Sequence, residues 1–472
     1  MSFYIKSRHQ TISKSDIQAL SGKLSTYLNE RGDKSPVIGI VATTDPLTVQ
    51  IMSACFIAGI PFVCLNPNLD LEVHRAHLID LIPVSLWIVH DTPDAQKEDA
   101  FELSSFLNHI QDLPGSDPHS NNDLQPLIYL STSGSTGEPK WLGFDGHQLW
   151  AAANASKKVL KPSSDGAWFL NLPLYHAGGL GILIRSLLWD TPVFVDPRKD
   201  APSIIDLIRE NPEIENISVV PTQVHRILDE NATDPLKKLN NILVGAGSLS
   251  SKDLEHVNKL KLPVRQSYGM TESMGHVVVS QKASEHPLQA FNCGIPLPSI
   301  SIEIRPDSSS SISDSHKGLI WMNGPQIAKD YIGLKSEKFI DGWFNTQDYG
   351  YLNDEGQLIF EGRVQQMIKS GGISISALKV EEALRKIPAI QEGAVLGIED
   401  STWGERVHAC LIFDADEYLN PSQIKSHLLK HLDKIEIPKS ISIHTQLPRT
   451  ELGKVNYPAL RDTLQDYKIE YL

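Results

Sequence analysis

The spacing of apolar residues switches repeatedly between helical and strand-like along the first part of the chain. One helical face carries four of them, Ile17, Leu20, Leu24 and Leu28. The segments that follow predict a buried strand over 37–41, a helix over 49–58 and a further strand over 61–65. This strand-helix-strand order predicts an α/β fold.

The pattern changes after Phe360, where shorter elements follow one another. The sequence predicts helices near 380–385 and 424–432 and strands near 394–398, 407–413 and 440–444. Residues 362–472 are therefore expected to form a small α+β unit. Two polar stretches, 113–122 and the serine-rich 308–315, are typical of surface loops.

The composition is that of an ordinary folded protein. The chain has 472 residues, of which 41% are hydrophobic and 21% are charged, as in soluble globular proteins. Its net charge of -14 argues against nucleic acid as a partner, because a surface that binds along a phosphate backbone needs an excess of basic residues. We see neither an apolar run of membrane-spanning length nor a secretory signal, so we expect no membrane span and a cytoplasmic protein.

The cysteines give no sign of a metal site. Cys55, Cys64, Cys293 and Cys410 are scattered, without the spacing that metal ligands show. Three of them, Cys55, Cys64 and Cys410, lie in apolar segments. Buried, reduced thiols are the expected state of these three.

A run of small hydroxylated residues and glycines follows the apolar segment 127–130. It comprises Thr132, Ser133, Gly134, Ser135, Thr136, Gly137, Glu138, Pro139 and Lys140. Glycines let backbone N–H groups approach phosphate oxygens, the hydroxyls add donors, and Lys140 adds a mobile positive charge. The run therefore predicts a phosphate site, with a polar surface turn as the alternative. A nucleotide-kinase loop is excluded, because Lys140 follows a proline and precedes Trp141.

The run resembles the phosphate-binding signature of the acyl-adenylating superfamily, which includes acyl-CoA synthetases, luciferases and peptide-synthetase adenylation domains. Four further motifs of that superfamily follow in its order: Tyr268-Gly269-Met270-Thr271-Glu272, Asn345-Thr346-Gln347-Asp348, Gly362-Arg363 and Pro448-Arg449-Thr450-Glu451-Leu452-Gly453-Lys454. Each motif is short, but five in the right order from Thr132 to Lys454 make coincidence a poor explanation.

The resemblance implies a two-domain architecture. Residues 1–361 would form a large N-terminal adenylating domain of layered α/β subdomains with a small β subdomain. Residues 362–472 would form a smaller, mobile α+β domain that carries Lys454. The hinge is expected just beyond the motif that begins at Gly362.

The resemblance also implies ATP, Mg²⁺ and coenzyme A as ligands, together with a small-molecule carboxylic acid. Lys454 would bridge the acyl carboxylate and the α-phosphate, while Thr271 and Glu272 would take part in catalysis with Glu272 as the Mg²⁺ ligand. The other residues implied to bind ATP or coenzyme A are Thr132, Ser133, Gly134, Ser135, Thr136, Gly137, Lys140, Gly245, Ala246, Gly247, Tyr268, Gly269, Asp348, Arg363, Gly371 and Gly372.

Within that set the resemblance assigns separate tasks. Tyr268 would stack on adenine opposite the 245–247 turn, and Asp348 and Arg363 would hold the ribose. Gly371 and Gly372 would admit the pantetheine of coenzyme A close to the backbone, with a plain turn as the alternative. Lys454 has a solvated surface lysine as its alternative.

Three departures from the superfamily pattern leave details open. Gln347 stands where the ribose motif usually has glycine, and Gln365 stands where the hinge commonly has aspartate. Tyr457 stands where an arginine often follows the catalytic lysine. The hinge residue and the fit of the ribose loop therefore stay undecided at this point.

For the acid, residues 172–188 and 218–223 resemble the o-succinylbenzoate-CoA ligases of menaquinone biosynthesis. His176 and Met270 would line the acyl pocket, a packed core histidine being the alternative for His176. Arg185 lies in an apolar stretch where an unpaired guanidinium is costly, so it needs an anion. The second carboxylate of o-succinylbenzoate would supply one. Pairing with a protein carboxylate or exposure to solvent is the alternative.

Other functions stay open on the sequence. A ligase for another aryl or medium-chain acid is the nearest alternative, and a non-catalytic nucleotide-binding protein is a second. A stand-alone peptide-synthetase adenylation domain is disfavoured. The oligomeric state cannot be deduced from the chain.

Overall fold

The computed structural model describes the chain except for a few short segments. The described residues are 3–32, 36–90, 99–115, 126–132, 139–198, 200–230, 232–306, 316–371, 373–414, 418–449 and 455–472. They form two compact units: Met1–Ser301 with Met322–Phe344, and Ile302–Trp321 with Asn345–Leu472. The domain boundary expected at 361/362 lies inside the second unit and stays a prediction.

The helices occur throughout the chain. They are α1 (Lys14–Glu30), α2 (Pro46–Ala58), α3 (Leu71–Leu78), α4 (Leu103–Ile110), α5 (Gly146–Leu160), α6 (Ala177–Trp189), α7 (Ala201–Glu210), α8 (Pro221–Asp229), α9 (Ser251–Leu260), α10 (Ala377–Arg385), α11 (Pro421–Leu428) and α12 (Tyr457–Thr463). The first nine belong to the first unit.

The strands alternate with them. They are β1 (Tyr4–Lys6), β2 (Thr11–Ser13), β3 (Ile38–Val41), β4 (Phe62–Leu65), β5 (Leu86–Val89), β6 (Ala100–Glu102), β7 (Ile128–Thr132), β8 (Lys140–Phe144), β9 (Ala167–Phe169), β10 (Val193–Phe194), β11 (Ile214–Val219), β12 (Asn241–Val244), β13 (Val264–Met270), β14 (Gly275–Val279), β15 (Asn292–Pro296), β16 (Ser301–Arg305), β17 (Gly318–Asn323), β18 (Phe339–Ile340), β19 (Trp343–Leu352), β20 (Leu358–Arg363), β21 (Met367–Ser370), β22 (Ile373–Ser376), β23 (Ile390–Asp400), β24 (Gly404–Phe413), β25 (Ser440–Ile443) and β26 (Ile469–Tyr471).

Local sequence signals explain where the first helices begin and end. The Ser13 and Asp16 side chains cap the start of α1 reciprocally. Asp45 caps α2 by accepting hydrogen bonds from two backbone N–H groups, and Gly59 ends α2 with a φ of 67°. The predicted apolar face of α1 is buried, and the strands predicted over 37–41 and 61–65 are β3 and β4. The α/β prediction is confirmed.

Two sheets organise the first unit. One has the order β6-β5-β3-β4-β7-β8, parallel except for the antiparallel pair β7–β8. The other runs β15-β14-β13-β12-β11-β9-β10-β1-β2 and is parallel from β13 to β1. Helices α7, α8 and α9 contribute apolar side chains to the core that buries β9, β11 and β12. The carboxyl ends of β12 and β13 therefore lie side by side at one edge of that sheet.

The second unit contains most residues of the strands β16, β17, β19 and β20, which pair in that order, and a mixed sheet of order β22-β21-β24-β25-β26, with β23 paired along β24. Helices α10 and α11 pack on the mixed sheet in one apolar core. The five elements predicted here correspond to α10, β23, β24, α11 and β25 and are confirmed. The hairpin β21–β22, helix α12 and strand β26 were not predicted.

Two compositional expectations can be checked. Cys55, Cys64 and Cys410 are buried and form no disulfide, as predicted. Among the residues that the structure describes, no helix combines the length and the apolar character needed to cross a membrane.

Candidate active site

The predicted phosphate run joins the two strands of a hairpin. Thr132 ends β7 and pairs in register with Lys140, the first residue of β8. Ser133, Gly134, Ser135, Thr136 and Gly137 lie outside the described residues, so their predicted contacts stay predictions. The run is flanked by two antiparallel strands, whereas the phosphate loop of nucleotide kinases leads from a strand into a helix, so the setting agrees with the spacing argument.

Lys140 and Glu272 both lie against a third residue, Tyr331. Glu272 is half-buried in a short 3-10 turn, Thr271–Ser273, directly after β13. Its carboxylate oxygen Oε1 accepts a hydrogen bond of 2.6 Å from the Tyr331 hydroxyl, and Lys140 Nζ lies 5.2 Å from the centre of the Tyr331 ring. The structure therefore brings Lys140 and Glu272 together. No spacing signal in the sequence points to Tyr331, which was not predicted.

The Glu272 carboxylate suits a hard cation. Within the described part of the chain it makes no ion pair with a lysine or arginine, and its Oε1 contact is with a neutral hydroxyl. Carboxylate oxygens with free lone pairs are the ligands that Mg²⁺ prefers. Glu272 therefore fits the role of a magnesium ligand.

The predicted adenine site lies at the carboxyl edge of β12 and β13. The turn of Gly245, Ala246 and Gly247 follows β12, and Ala246 has a left-handed φ of 61°. Tyr268, in the adjacent parallel strand, is 7% exposed. A side chain at Gly269 would place its Cβ 2.0 Å from the Gly275 carbonyl oxygen, so glycine is needed where β13 and β14 bulge. The structure thus brings the turn and Tyr268 to neighbouring strand ends.

The predicted ribose residues lie together in the second unit. Asp348 in β19 is 2% exposed and pairs in register with Arg363, the last residue of β20. Arg363 Nε lies 3.3 Å from Asp348 Oδ1. The arginine side chain is 63% exposed, so the ion pair borders solvent on the arginine side.

Of the two glycines predicted to face pantetheine, the structure describes Gly371 alone. It has a φ of 58°, and its N–H donates to the Trp403 carbonyl at 2.8 Å. A Cβ at this position would lie 2.9 Å from the Trp403 ring. Both the left-handed backbone and the close ring therefore demand glycine. Gly372 lies outside the described residues.

Lys454 also lies outside the described residues, but the chain on both sides of it is described. Arg449 and Val455 form an antiparallel bridge, and Arg449 Nη2 contacts both carboxylate oxygens of Glu392 at 2.7 Å. Tyr457 donates a hydrogen bond of 2.6 Å to the buried Glu381 on α10. Tyr457, the departure from the family's arginine, therefore anchors the chain shortly after Lys454.

The predicted acyl-pocket residues do not form a single cluster. His176 is the exposed N-cap residue of α6, and Met270 is the half-buried last residue of β13. Arg185 lies nine residues after His176, roughly 13 Å farther along the helix axis and near its opposite face. His176 and Arg185 therefore cannot hold the same end of a small ligand.

Arg185 is a buried cation without a carboxylate. It is 6% exposed, and its guanidinium carbon lies 5.0 Å from the Trp168 ring centre and 5.9 Å from that of Trp189. Among the described residues no acidic group lies within ion-pair distance, and Nε has no hydrogen-bond partner. Burial lowers the pKa of Arg185 to about 9. Both alternatives, a protein counterion and exposure to solvent, are therefore absent from the described structure.

Arg185 borders a small cavity whose other polar lining residues were not predicted. His276 and Ser156 face it, with the His276 Nε2 atom 2.9 Å from the Ser156 hydroxyl oxygen. Burial, and secondarily the charge of Arg185, lowers the pKa of His276 well below its ordinary value, so the ring is neutral at pH 7. The cavity has about 10 Å³ of free space, enough for about one water. A larger ligand group can enter only if the wall moves.

The fold is that of an adenylate-forming enzyme, and comparison with known families agrees. Residues 2–332 match the AMP-binding enzyme family, and residues 379–454 match the AMP-binding enzyme C-terminal domain. The chain belongs to the AMP-binding enzyme family.

Relatives with assigned activities are similar over nearly the whole chain. The 2-succinylbenzoate–CoA ligase of Listeria monocytogenes is 31% identical over 452 residues, covering 94% of this chain and 92% of the relative. The enzyme of the same name from Bacillus velezensis is 29% identical over 450 residues, covering 92% and 89%.

Solved structures of related enzymes share the fold. The o-succinylbenzoate CoA synthetase of Bacillus subtilis, in complex with its acyl-adenylate intermediate, superposes with a TM-score of 0.81 at 26% identity and covers 99% of this chain and 96% of its own. The same enzyme with ATP and a magnesium ion has a TM-score of 0.81 at 25% identity, with coverages of 98% and 97%.

Proposed function

We propose that this chain is an ATP-dependent acid–CoA ligase that acts on o-succinylbenzoate, the activity in the names of its relatives. In the first step a carboxylate oxygen of the acid attacks the α-phosphorus of ATP, forming the acyl-adenylate and releasing pyrophosphate. In the second step the thiol of coenzyme A takes the acyl group and AMP leaves. The reaction would serve menaquinone biosynthesis in the cytoplasm, where ATP and coenzyme A are available.

Charge neutralisation is the central task of the first step, because a carboxylate must approach a polyphosphate. Lys140 would hold the departing pyrophosphate together with Thr132 and the run that follows it. Lys454 would approach the reacting carboxylate and α-phosphate. Mg²⁺ held by Glu272 would withdraw negative charge from the phosphates when bound.

Nucleotide recognition would use the remaining residues. Tyr268 and the 245–247 turn would sandwich adenine at the edge of the parallel strands. Asp348 has two carboxylate oxygens that can accept hydrogen bonds from the two ribose hydroxyls. Arg363 would add a donor to the ribose.

The burial of Arg185 without a carboxylate partner among the described residues is the observation that supports o-succinylbenzoate as the acid. With a pKa of about 9, the guanidinium stays charged at pH 7 even though it is buried. A buried charge without a counterion is costly unless a ligand supplies one. o-Succinylbenzoate has two carboxylates, so one can react while the ring carboxylate pairs with Arg185. The neutral His276 adds a polar wall without a competing positive charge.

The test compares o-succinylbenzoate with an analogue that lacks the ring carboxylate. The wild-type chain, supplied with ATP, Mg²⁺ and coenzyme A, should release AMP and pyrophosphate and prefer the diacid. Arg185→Met should lose at least tenfold in kcat/KM for the diacid and little for the analogue, because a charge-assisted hydrogen bond contributes about 1.5 to 3 kcal/mol.

Thermal unfolding of Arg185→Met separates recognition from folding. Methionine replaces an unpaired buried charge with an apolar side chain of similar length, so the unfolding temperature should stay the same or rise. Equal losses on both acids would favour a ligase for another aryl or medium-chain acid. Release of ADP and phosphate would reject the adenylation mechanism. The absence of any acid-dependent turnover would reject the enzymatic function.

A further inference from the structure

One segment of the first unit joins the turn that carries Glu272 to the strand that begins with Lys140. The Ala328 N–H donates to the Glu272 carbonyl at 2.8 Å, and the Ile332 N–H donates to the Trp141 carbonyl at 2.8 Å. Residues 328–332 therefore bridge both elements through the backbone. Tyr331 projects from the middle of this bridge.

The Tyr331 side chain is held in one orientation. It is 5% exposed, and Phe339 packs against its ring edge-on at a centroid distance of 5.4 Å. A tyrosine hydroxyl carries its proton at neutral pH, so the Tyr331 hydroxyl donates its hydrogen bond to Glu272 Oε1.

The two parts of Tyr331 contact two different charged groups. The hydroxyl donates to one oxygen of the Glu272 carboxylate at 2.6 Å, and among the described residues no side chain pairs with the other oxygen. The ring face lies 5.2 Å from Lys140 Nζ, within the range of a cation–π contact. Groups that hydrogen-bond a metal-ligating carboxylate orient it, and their loss typically costs about 10- to 100-fold in metal affinity.

We propose that Tyr331 is a positioning residue for MgATP: its hydroxyl orients the Glu272 carboxylate for the metal, and its ring holds Lys140 toward the phosphates. The proposal rests on the nucleotide chemistry of the proposed function but not on which acid is used. It predicts that hydroxyl and ring have separable effects, which simple packing of a buried tyrosine would not produce.

The direct test measures metal binding without turnover. Mn²⁺, observed by electron paramagnetic resonance, is titrated into the full-length chain with a non-hydrolysable ATP analogue and no acid. Tyr331→Phe keeps the ring and removes the hydroxyl, so we expect Mn²⁺ affinity to fall about 10- to 100-fold. Thermal unfolding of the free variant should stay close to wild type.

Turnover then distinguishes positioning from structure. Excess Mg²⁺ should restore the adenylation rate of Tyr331→Phe, because the defect is one of metal affinity. Tyr331→Leu also removes the ring beneath Lys140 and should retain a raised KM for ATP that Mg²⁺ does not correct.

The matched control is Tyr351→Phe in the second unit, where Lys317 Nζ likewise lies 5.2 Å from the ring centre. This variant should bind Mn²⁺ as wild type does. The proposal is overturned by unchanged Mn²⁺ affinity in a folded Tyr331→Phe, or by a rate loss that Mg²⁺ cannot restore. If the wild type binds Mn²⁺ and the analogue but does not activate o-succinylbenzoate, the assignment of the acid fails and the role of Tyr331 stands.

Discussion

Gln347, in the predicted ribose motif, has a left-handed backbone with a φ of 60°. Its N–H donates to the Asn345 side-chain oxygen at 3.0 Å, while the Thr346 hydroxyl accepts from the Asp348 N–H at 3.1 Å. These side-chain contacts hold the short turn in place next to the buried Asp348. They allow a residue other than glycine where the family usually has one, at a local cost of about 1 to 2 kcal/mol.

The backbone geometry predicts the stability order of substitutions at this position. Gln347→Gly should raise the free energy of unfolding by up to about 1 kcal/mol, because the left-handed strain that it relieves is larger than the entropic cost of ordering a glycine. Gln347→Val should lower it by about 1 to 3 kcal/mol, since a β-branched residue tolerates positive φ poorly. Denaturant unfolding measures both values.

Gln111 is the matched control, with an exposed side chain and a right-handed φ of -60°. Gln111→Gly should be neutral or destabilising. A Gln347→Val variant as stable as wild type would show that the left-handed conformation does not determine which residues are tolerated at position 347.

At the scale of elements, the mixed sheet of the second unit buries a polar row between β24 and β25. His408 is 0% exposed, with Nδ1 2.8 Å from the Ser440 hydroxyl oxygen and Nε2 2.9 Å from that of Ser442. The Ser442 hydroxyl also lies 2.7 Å from His444 Nε2. Burial, followed by the positive charges of Arg406 and His444, lowers the pKa of His408 to about 4.

This row predicts a loss of stability in acid. The folded-state pKa of His408 lies below its unfolded value, so the unfolded chain binds the proton more readily and stability falls as the pH drops from about 6.5 toward about 4. A shift of this size corresponds to about 3 kcal/mol by pH 4. Urea unfolding of the full-length chain between pH 7 and pH 4 would measure it.

His408→Gln removes the titrating group and should flatten the pH dependence by that amount. The exposed His147 gives a control, and His147→Gln should follow the wild-type profile. If the stability of His408→Gln falls with pH as steeply as that of the wild type, the acid sensitivity arises from other groups, with His444 the nearest candidate.

At the scale of the whole molecule, the compact units do not coincide with the predicted domain boundary. Residues 302–321 and 345–361 pack with the C-terminal part of the chain. Within that unit Ser376 donates a hydrogen bond to the Glu361 carbonyl, and Arg363 pairs with Asp348. The division by packing describes which residues lie together, whereas a hinge concerns which residues move. The boundary at 361/362 thus stays a prediction.

Limited proteolysis tests that prediction. Trypsin should cut the ligand-free chain early after the exposed Arg363, because a hinge samples the extended conformations that a protease needs. A non-hydrolysable acyl-adenylate analogue should slow this cut. Cleavage after Lys468, whose side chain is 85% exposed, gives a reference rate that the analogue should leave unchanged. First cuts confined to other regions, with or without the analogue, would contradict a hinge at Arg363.

The sequence alone determined features that depend on neighbouring residues. The apolar spacing of Ile17, Leu20, Leu24 and Leu28 predicted α1, because helical period and burial of one face are local consequences of the chain. The same holds for the five predicted elements of the second unit. The order of the motifs was sufficient to name Lys140, Glu272 and Asp348 as candidate site residues. Each of these motifs is short, and a short backbone turn is specified mainly by its own side chains.

Only the tertiary structure decided which distant groups meet. Tyr331 lies 59 residues from Glu272 in the chain, yet its hydroxyl contacts that carboxylate. Arg185 meets His276 in a cavity that neither residue's surroundings in the sequence could indicate. Such contacts follow from how helices and sheets pack, where many weak apolar contacts select one arrangement and carry the polar groups with them. Patterns of neighbouring residues carry no information about which packing arrangement is selected.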